Sequence, residues 1–391
     1  MNDQRRVVLK PGREKALRNR HPWIFSGAIE SFPTFENGDV LPVYSSSGEF
    51  LAKAYFHREN SISGRVLTFL DEPIETCIDQ RISDAIRLRE KLFDREMTSC
   101  YRLINAEGDG IPGLIVDIYD DIAVCQVNTC GIEKLKSLIV QKLAQQLKLR
   151  GIYEKSESSA RRQEGLEDSV GTLYGDCPKE ILVKENGHLF LVGIEEGQKT
   201  GFFLDQREMR QQIARLSKNK RVLNCFSYTG GFSIFALKGG AESVTSIDAS
   251  ESACRYAMEN TLLNHLPLDK HEVIRNDVFD YLKNNKKAFD LVILDPPAFA
   301  KKRQDVNDAC RGYKEINRRA FEMMPSNSYL LTCSCSHFID EDLFQQLIFQ
   351  AAIEAKKEVV ICSRHIQAND HPISLFHPEG GYLKSLLLHI K

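Results

Sequence analysis

The chain has 391 residues, 42% of them hydrophobic and 27% charged, and its 52 Lys+Arg against 54 Asp+Glu give a formal net charge of −2. These proportions exclude a disordered, collagenous or membrane-spanning chain, and the length predicts two or three domains. On its face the charge balance also argues against a nucleic-acid binder, which carries a basic footprint. The eleven cysteines are odd in number and include no C-x-x-C pair or His/Cys cluster at zinc spacing, so no metal site is expected. The N-terminus lacks an apolar signal core and no apolar run reaches about 18 residues, so free thiols in a reducing cytoplasm, without membrane anchoring, are the expectation.

In chain order, residues 1–72 read as short strands broken by turns: VVLK before Pro11-Gly12, then WIFSGAI, DVLPVYS, SGEFLAKAYF and GRVLTFL. That spacing predicts a small all-β barrel or sandwich. Residues 1–20 hold seven Lys/Arg and two acids, a local charge of +5 hidden by the whole-chain average. Arg13, Arg18 and Arg20 of this run are candidate phosphate contacts. Trp23, the single tryptophan, reads as a core residue of the small domain or as a stacking platform, with the core preferred.

Residues 73–189 predict a separate α+β unit. A helix is expected over 73–98, with Ile78, Ile82, Ala85, Ile86 and Leu92 near one face. Three strand-like runs with Asp-Gly and Pro-Gly turns follow, then a helix near 132–148 and the strand GIYEK. Over residues 190–391 strands and helices alternate, which specifies a mostly parallel sheet covered by helices on both faces. Ligands of such sheets sit beyond the carboxyl ends of the strands, at the topological switch point.

The chemistry-bearing segments fall at those ends. In LNCFSYTGGFSIF a buried strand is expected to end at Asn224 and a helix to begin near Gly230. Phe226, Tyr228 and Thr229 lie in the turn between them, where small residues let a ligand approach the backbone and a helix N-terminus offers free N–H groups. Asp248 closes the next strand, 18 residues beyond Gly230, near the spacing at which a carboxylate grips ribose hydroxyls. Ala249 follows it. The turn is not G-x-G-x-x-G, which disfavours a dinucleotide. It resembles instead the first motif of the class I S-adenosylmethionine methyltransferases. Asn276 and Asp277 follow the third strand, where Asp277 also suits a helix N-cap. Asp295-Pro296-Pro297-Ala298-Phe299 ends the fourth; its prolines stiffen the exit and leave Asp295 and Phe299 where a planar base could lie. The fifth ends in TCSCS. Carbon 5 of a pyrimidine is a poor nucleophile until a thiolate adds at carbon 6, and Cys333 and Cys335 stand where a thiolate could do this.

Across nearly its whole length the chain resembles the PUA-domain family of ribosomal RNA large-subunit cytosine-C5 methyltransferases. The segments that carry this likeness are LKPGREKALRNRHPWIFSGAI, YRLINAEGDGIPGLIVD, GQKTGFFLDQR, FSYTGGFS, DPPAF, the SCS of residues 334–336 and HPEGGYLK. The resemblance implies an N-terminal PUA-like RNA-binding β-barrel (1–72), a central α+β domain (73–189) and a Rossmann-like class I methyltransferase sheet (190–391). It implies S-adenosylmethionine as cofactor and ribosomal RNA as partner. Cys335 becomes the nucleophile, since Cys333 stands where relatives are expected to carry an aromatic residue. Many RNA cytosine-C5 methyltransferases also carry a cysteine after the proline of the fourth-strand motif, and DPPAF has none. Asp295 is then the candidate to orient the cytosine amino group or help protonate N3. Asn276 and Asp277 would face the adenine, Lys199, Thr200, Phe203 and Gln206 would border the cofactor, and Pro296, Pro297 and Phe299 would meet the base. The rival readings are a guanine or exocyclic-amine RNA methyltransferase of the same architecture, and a non-catalytic RNA-binding protein that keeps the cofactor fold.

Overall fold

A computed structural model describes residues 5–391. Its contacts divide the chain into two compact units. One comprises Met1–Val183, Gly193–Leu204 and Asn369–Gly380; the other comprises Lys184–Val192, Asp205–Ala368 and Gly381–Lys391.

The first unit holds two sheets. A six-stranded sheet runs in the spatial order Trp23–Phe25, Ile62–Thr68, Phe50–Phe56, Val40–Tyr44, Val7–Leu9, Ile29–Ser31. Its inward-facing Val7, Leu9, Ile24, Leu41, Val43, Ala54 and Val66 share one apolar core. Contrary to the expectation from sequence, Trp23 is outside that core. It is half-buried, because its indole Nε1 donates to Glu107 at 2.8 Å and its ring packs on His377 at 4.3 Å between centroids. The second sheet has five strands, ordered Ser169–Gly175, Gly151–Ser156, Ile122–Val127, Leu114–Tyr119, Cys100–Asn105.

Helices Ile74–Leu92 and Cys130–Gln146 cover this second sheet. The first of them stops at Leu92 rather than near 98. Asp94 accepts from the Glu96 N–H with its side chain and from the Met97 and Thr98 N–H groups with its carbonyl, which draws the chain into a turn. Arg89 of this helix is 1% exposed yet satisfied, bidentate on Asp109 and donating to the Asp370 carbonyl. A two-stranded hairpin, Glu180–Glu185 with His188–Gly193, turns at Asn186-Gly187, both at positive φ.

The second unit is built on seven strands: β1 Arg221–Cys225, β2 Ser243–Asp248, β3 His271–Arg275, β4 Leu291–Leu294, β5 Ser328–Ser334, β6 Val359–His365 and β7 Lys384–Ile390. Their spatial order is β3-β2-β1-β4-β5-β7-β6. β1 to β5 are parallel, and β7 lies antiparallel between β5 and β6. β1, β4 and β5 are near-continuous apolar runs because both faces are covered. On one face α1 Arg207–Leu216 and α2 Gly231–Lys238 pack on Val222, Val244, Leu291 and Leu331, with α3 Glu251–Leu263 beside α2. On the other, α4 Val278–Asn284, α5 Val306–Met323 and α6 Glu341–Glu354 pack on Leu223, Leu294 and Leu330. In α5 the buried Ala309, Tyr313, Ile316, Ala320 and Phe321 recur at helical spacing, and each larger one contributes about 1.5–3 kcal/mol by leaving water. The chain order reverses between β1 and β4, so the carboxyl ends of these strands form the ligand-binding edge.

Candidate active site

β1 ends at Cys225 and α2 starts at Gly231, one residue later at each end than the sequence predicts. Three residues of the intervening turn hold left-handed backbone: Phe226 (φ 59°), Tyr228 (φ 46°) and Gly230 (φ 79°). A Cβ at position 230 would also stand 3.1 Å from that of Ala257 on α3, so glycine serves both the turn angle and the close helix. The turn is fastened from β2 and α3. The Asp248 carboxylate accepts from the Tyr228 N–H at 2.8 Å and the Ser250 N–H at 2.9 Å, and Asn260 donates to the Thr229 carbonyl at 2.9 Å.

Below it, a buried polar chain crosses the sheet. Asn224 donates to Ser233 (2.8 Å), which pairs with Ser246 (2.7 Å), which pairs with His271 Nε2 (2.7 Å). Burial drives the His271 pKa down to about 4, so the ring stays neutral.

Asn224 Oδ1, Ser227 Oγ and Thr229 Oγ1 are buried without a hydrogen-bond partner. Such groups are costly unless a ligand satisfies them. Asp248 retains lone pairs beyond its two backbone bonds. A polar ligand with hydroxyl and amino groups fits this cradle, so the residues present suit an adenosyl cofactor. Ala249 is exposed beside it. Asn276 is tied in by its N–H on the Asp248 carbonyl at 3.0 Å, while Asp277 caps α4 through the Phe279 and Asp280 N–H groups.

Beyond β4 and β5 lies a second constellation. Cys335, half-buried, places Sγ 3.9 Å from the Pro296 carbonyl, beside the exit of Asp295 from β4. Cys333, two residues earlier, is fully buried in the apolar core against which Cys335 also packs, and burial holds its thiol well above the ordinary range. The Asp295 carboxyl is pushed up to about 7 by loss of solvent and by the charge of Asp205, against the opposing hydrogen bond from Gln206 and the charge of Arg210. Gln206 Nε2 donates to Asp295 at 3.1 Å, and the Tyr382 hydroxyl donates to Asp205 at 2.6 Å. Pro297 is exposed, whereas Phe299 is half-buried against Tyr313 (4.7 Å between centroids) and Phe226 (6.3 Å).

The structure thus brings Asn224, Phe226, Tyr228, Thr229, Gly230, Asp248, Asn276 and Asp277 to one end of the edge, and Gln206, Asp295, Pro296 and Cys335 to the other. Lys199, Thr200 and Phe203 belong to the first unit. There Thr200 is buried and donates to Asp117 at 2.6 Å, and Lys199 is exposed at φ 55°. Arg13, Arg18 and Arg20 are exposed in that unit; Arg18 pairs with Glu49 at 2.6 Å and Arg20 lies 5.2 Å over the Phe69 ring. The sequence reading gave Tyr382 and Lys384 no role. Both lie in HPEGGYLK, and only the antiparallel placement of β7 beside β5 brings them to this edge.

A sheet of this order, with a small-residue turn after β1 and an acid closing β2, defines the S-adenosylmethionine-dependent methyltransferase class. Residues 7–69 match the PUA-like domain and residues 162–372 the S-adenosylmethionine-dependent methyltransferase family. The chain is 44% identical to ribosomal RNA large subunit methyltransferase I of Pseudoalteromonas atlantica over 98% of both chains. It is 42% identical to the protein of the same name from Aeromonas salmonicida, again over 98% of each. Among solved structures, a protein from Streptococcus mutans described as "a putative sam-dependent methyltransferase" aligns over 98% of this chain and 99% of its own, with TM-score 0.84 and 25% identity. A second, described as "a putative methyltransferase complexed with SAH", aligns over the same shares, with TM-score 0.85 and 25% identity. The chain belongs to this family of PUA-containing S-adenosylmethionine-dependent methyltransferases, and S-adenosylmethionine is its cofactor. Among the described residues no helix is long and apolar enough to cross a membrane.

Proposed function

We propose that the chain methylates carbon 5 of a cytosine in RNA, specifically large-subunit ribosomal RNA, through a covalent adduct between Cys335 and the base. The observation that carries this reading is the contrast between the two thiols of TCSCS. Cys333 is sealed in the core, while Cys335 stands half-buried at the strand end beside Asp295-Pro296. The names of the curated relatives support the ribosomal RNA substrate.

When bound, S-adenosylmethionine supplies the methyl group. Asn224, Phe226, Tyr228, Thr229 and Gly230 would hold it, with Asp248 on the ribose and Ala249, Asn276 and Asp277 toward the adenine. Gln206 would border it, and Lys199, Thr200 and Phe203 are proposed in the same role. A cytosine swung out of its stack would lie near Pro296, Pro297 and Phe299. The Cys335 thiolate forms a C–S bond to carbon 6, and the ring electrons make carbon 5 nucleophilic. Asp295, which holds a proton near neutral pH, donates toward N3 as negative charge develops there. After carbon 5 has gained its methyl group, a base takes the proton from that carbon, the C–S bond breaks and the thiolate returns. Arg13, Arg18 and Arg20 would contact phosphates. In this reading residues 1–72 hold RNA, 73–189 form a central domain, 190–391 perform the chemistry, and the enzyme works in the cytoplasm on ribosomal RNA.

The test is Cys335→Ala in the full-length enzyme. Transfer of labelled methyl to ribosomal RNA is expected to vanish, together with the covalent complex on RNA containing 5-fluorocytosine. Undiminished transfer would overturn the proposal.

A further inference from the structure

We infer that Lys384 is a positioning residue for Cys335, its ammonium holding the thiol in the thiolate form; this rests on the reading of Cys335 as nucleophile. The geometry brackets the cysteine. In the antiparallel pairing of β5 and β7, Lys384 lies opposite Ser334, the residue before Cys335. Its Nζ donates to the carbonyl of Ser336, the residue after Cys335, at 2.7 Å. The side chain therefore starts beside one neighbour of the cysteine and sets its ammonium on the carbonyl of the other.

Titratable groups near Cys335 come from at least four elements. Asp295 follows β4, Cys333 lies on β5 itself, Tyr313 is on α5 and Lys384 is on β7; Asp340, the N-cap of α6, acts on Lys384. Of these only Lys384 is cationic. Asp295, with its carboxyl pushed up to about 7, is partly protonated at neutral pH and opposes a neighbouring thiolate correspondingly less. Burial draws the Lys384 ammonium below its usual range while the Cys335 charge pulls the other way. Coupling between two charges is reciprocal: whatever the thiolate does for the ammonium, the ammonium does for the thiolate. A cation beside a cysteine is a recognised route to a nucleophile that is ionised at neutral pH.

The test compares Lys384→Gln, which keeps a donor for the Ser336 carbonyl but loses the charge, with Lys384→Arg, which keeps both. In the full-length protein without RNA, iodoacetamide labelling of the Cys335 peptide is followed by mass spectrometry across pH. Lys384→Gln is expected to move the labelling midpoint up by about one pH unit or more. Labelling at neutral pH should fall about tenfold and recover as pH is raised. Lys384→Arg should keep the wild-type midpoint. An unmoved midpoint in Lys384→Gln, with wild-type melting behaviour, would overturn this inference and leave the nucleophile standing. Full methyl transfer by Cys335→Ala would instead overturn the nucleophile itself.

Discussion

The half-buried Asp295 and the buried His271 are titratable groups shifted in opposite chemical senses, chiefly by one cause. Loss of water disfavours the charged form, so the carboxyl is raised to about 7 and the imidazole lowered to about 4. For Asp295 the sign has two consequences. As proton donor toward N3 it is competent in its acid form, so turnover should decline as pH rises through about 7. As a folded-state group raised from 3.8, it costs stability as pH climbs from that value through about 7, because the unfolded chain ionises first. Asp295→Asn is therefore expected to lower turnover, to remove that limb of the pH–rate profile and to melt higher than wild type at pH above 7. A profile whose limb survives the substitution would exclude Asp295 as the titrating group.

Among elements, the join between the hairpin strand Glu180–Glu185 and α1 shows why polar residues of α1 are buried. Glu185 is fully buried, accepts from Arg210 at 2.6 and 2.7 Å and pairs with Arg207 at 3.3 Å. Removing the carboxylate charge takes from Arg210 its bidentate partner and from Arg207 an ion pair, in a dry site. Glu185→Gln is expected to destabilise the chain by about 3–5 kcal/mol, seen as a lower denaturant midpoint. A loss below about 1 kcal/mol would mean that water reaches the pair. The hairpin itself was announced by Asn186-Gly187, a turn signal that the sequence reading passed over in starting the alternating pattern near 190. The strand Ser169–Gly175 gave no comparable signal, since its two glycines weaken the alternation that marks a strand.

For the whole molecule, net charge was the misleading number. The chain sums to −2, yet residues 1–20 carry +5. The structure also distinguishes the three arginines there: Arg18 is already paired with Glu49, whereas Arg13 is exposed. Arg13→Ala should weaken RNA binding without regard to sequence and reduce the salt dependence of binding by about one counterion. Arg18→Ala should change that slope less. Equal binding curves for wild type and Arg13→Ala across a salt series would remove Arg13 from the RNA interface.

What the sequence determined by itself was whatever depends on local order. Alternating strands and helices, the turn before Gly230, Asp248 closing its strand and the stiff Asp295-Pro296-Pro297 exit are encoded within a few residues of each other. Periodicity and turn chemistry are short-range physics. Tertiary structure decided what depends on partners distant in the chain. It sealed Cys333 within the strand and left Cys335, just past the strand's end, half-buried; residues two apart share a strand face, so only what packs over each decides its exposure. It also set Gln206 on Asp295 and brought the Lys384 ammonium to the Ser336 carbonyl, next to Cys335. Those placements follow from the antiparallel return of β7 and the docking of α1, and desolvation, which tunes the carboxyl, exists only once the chain has closed around it.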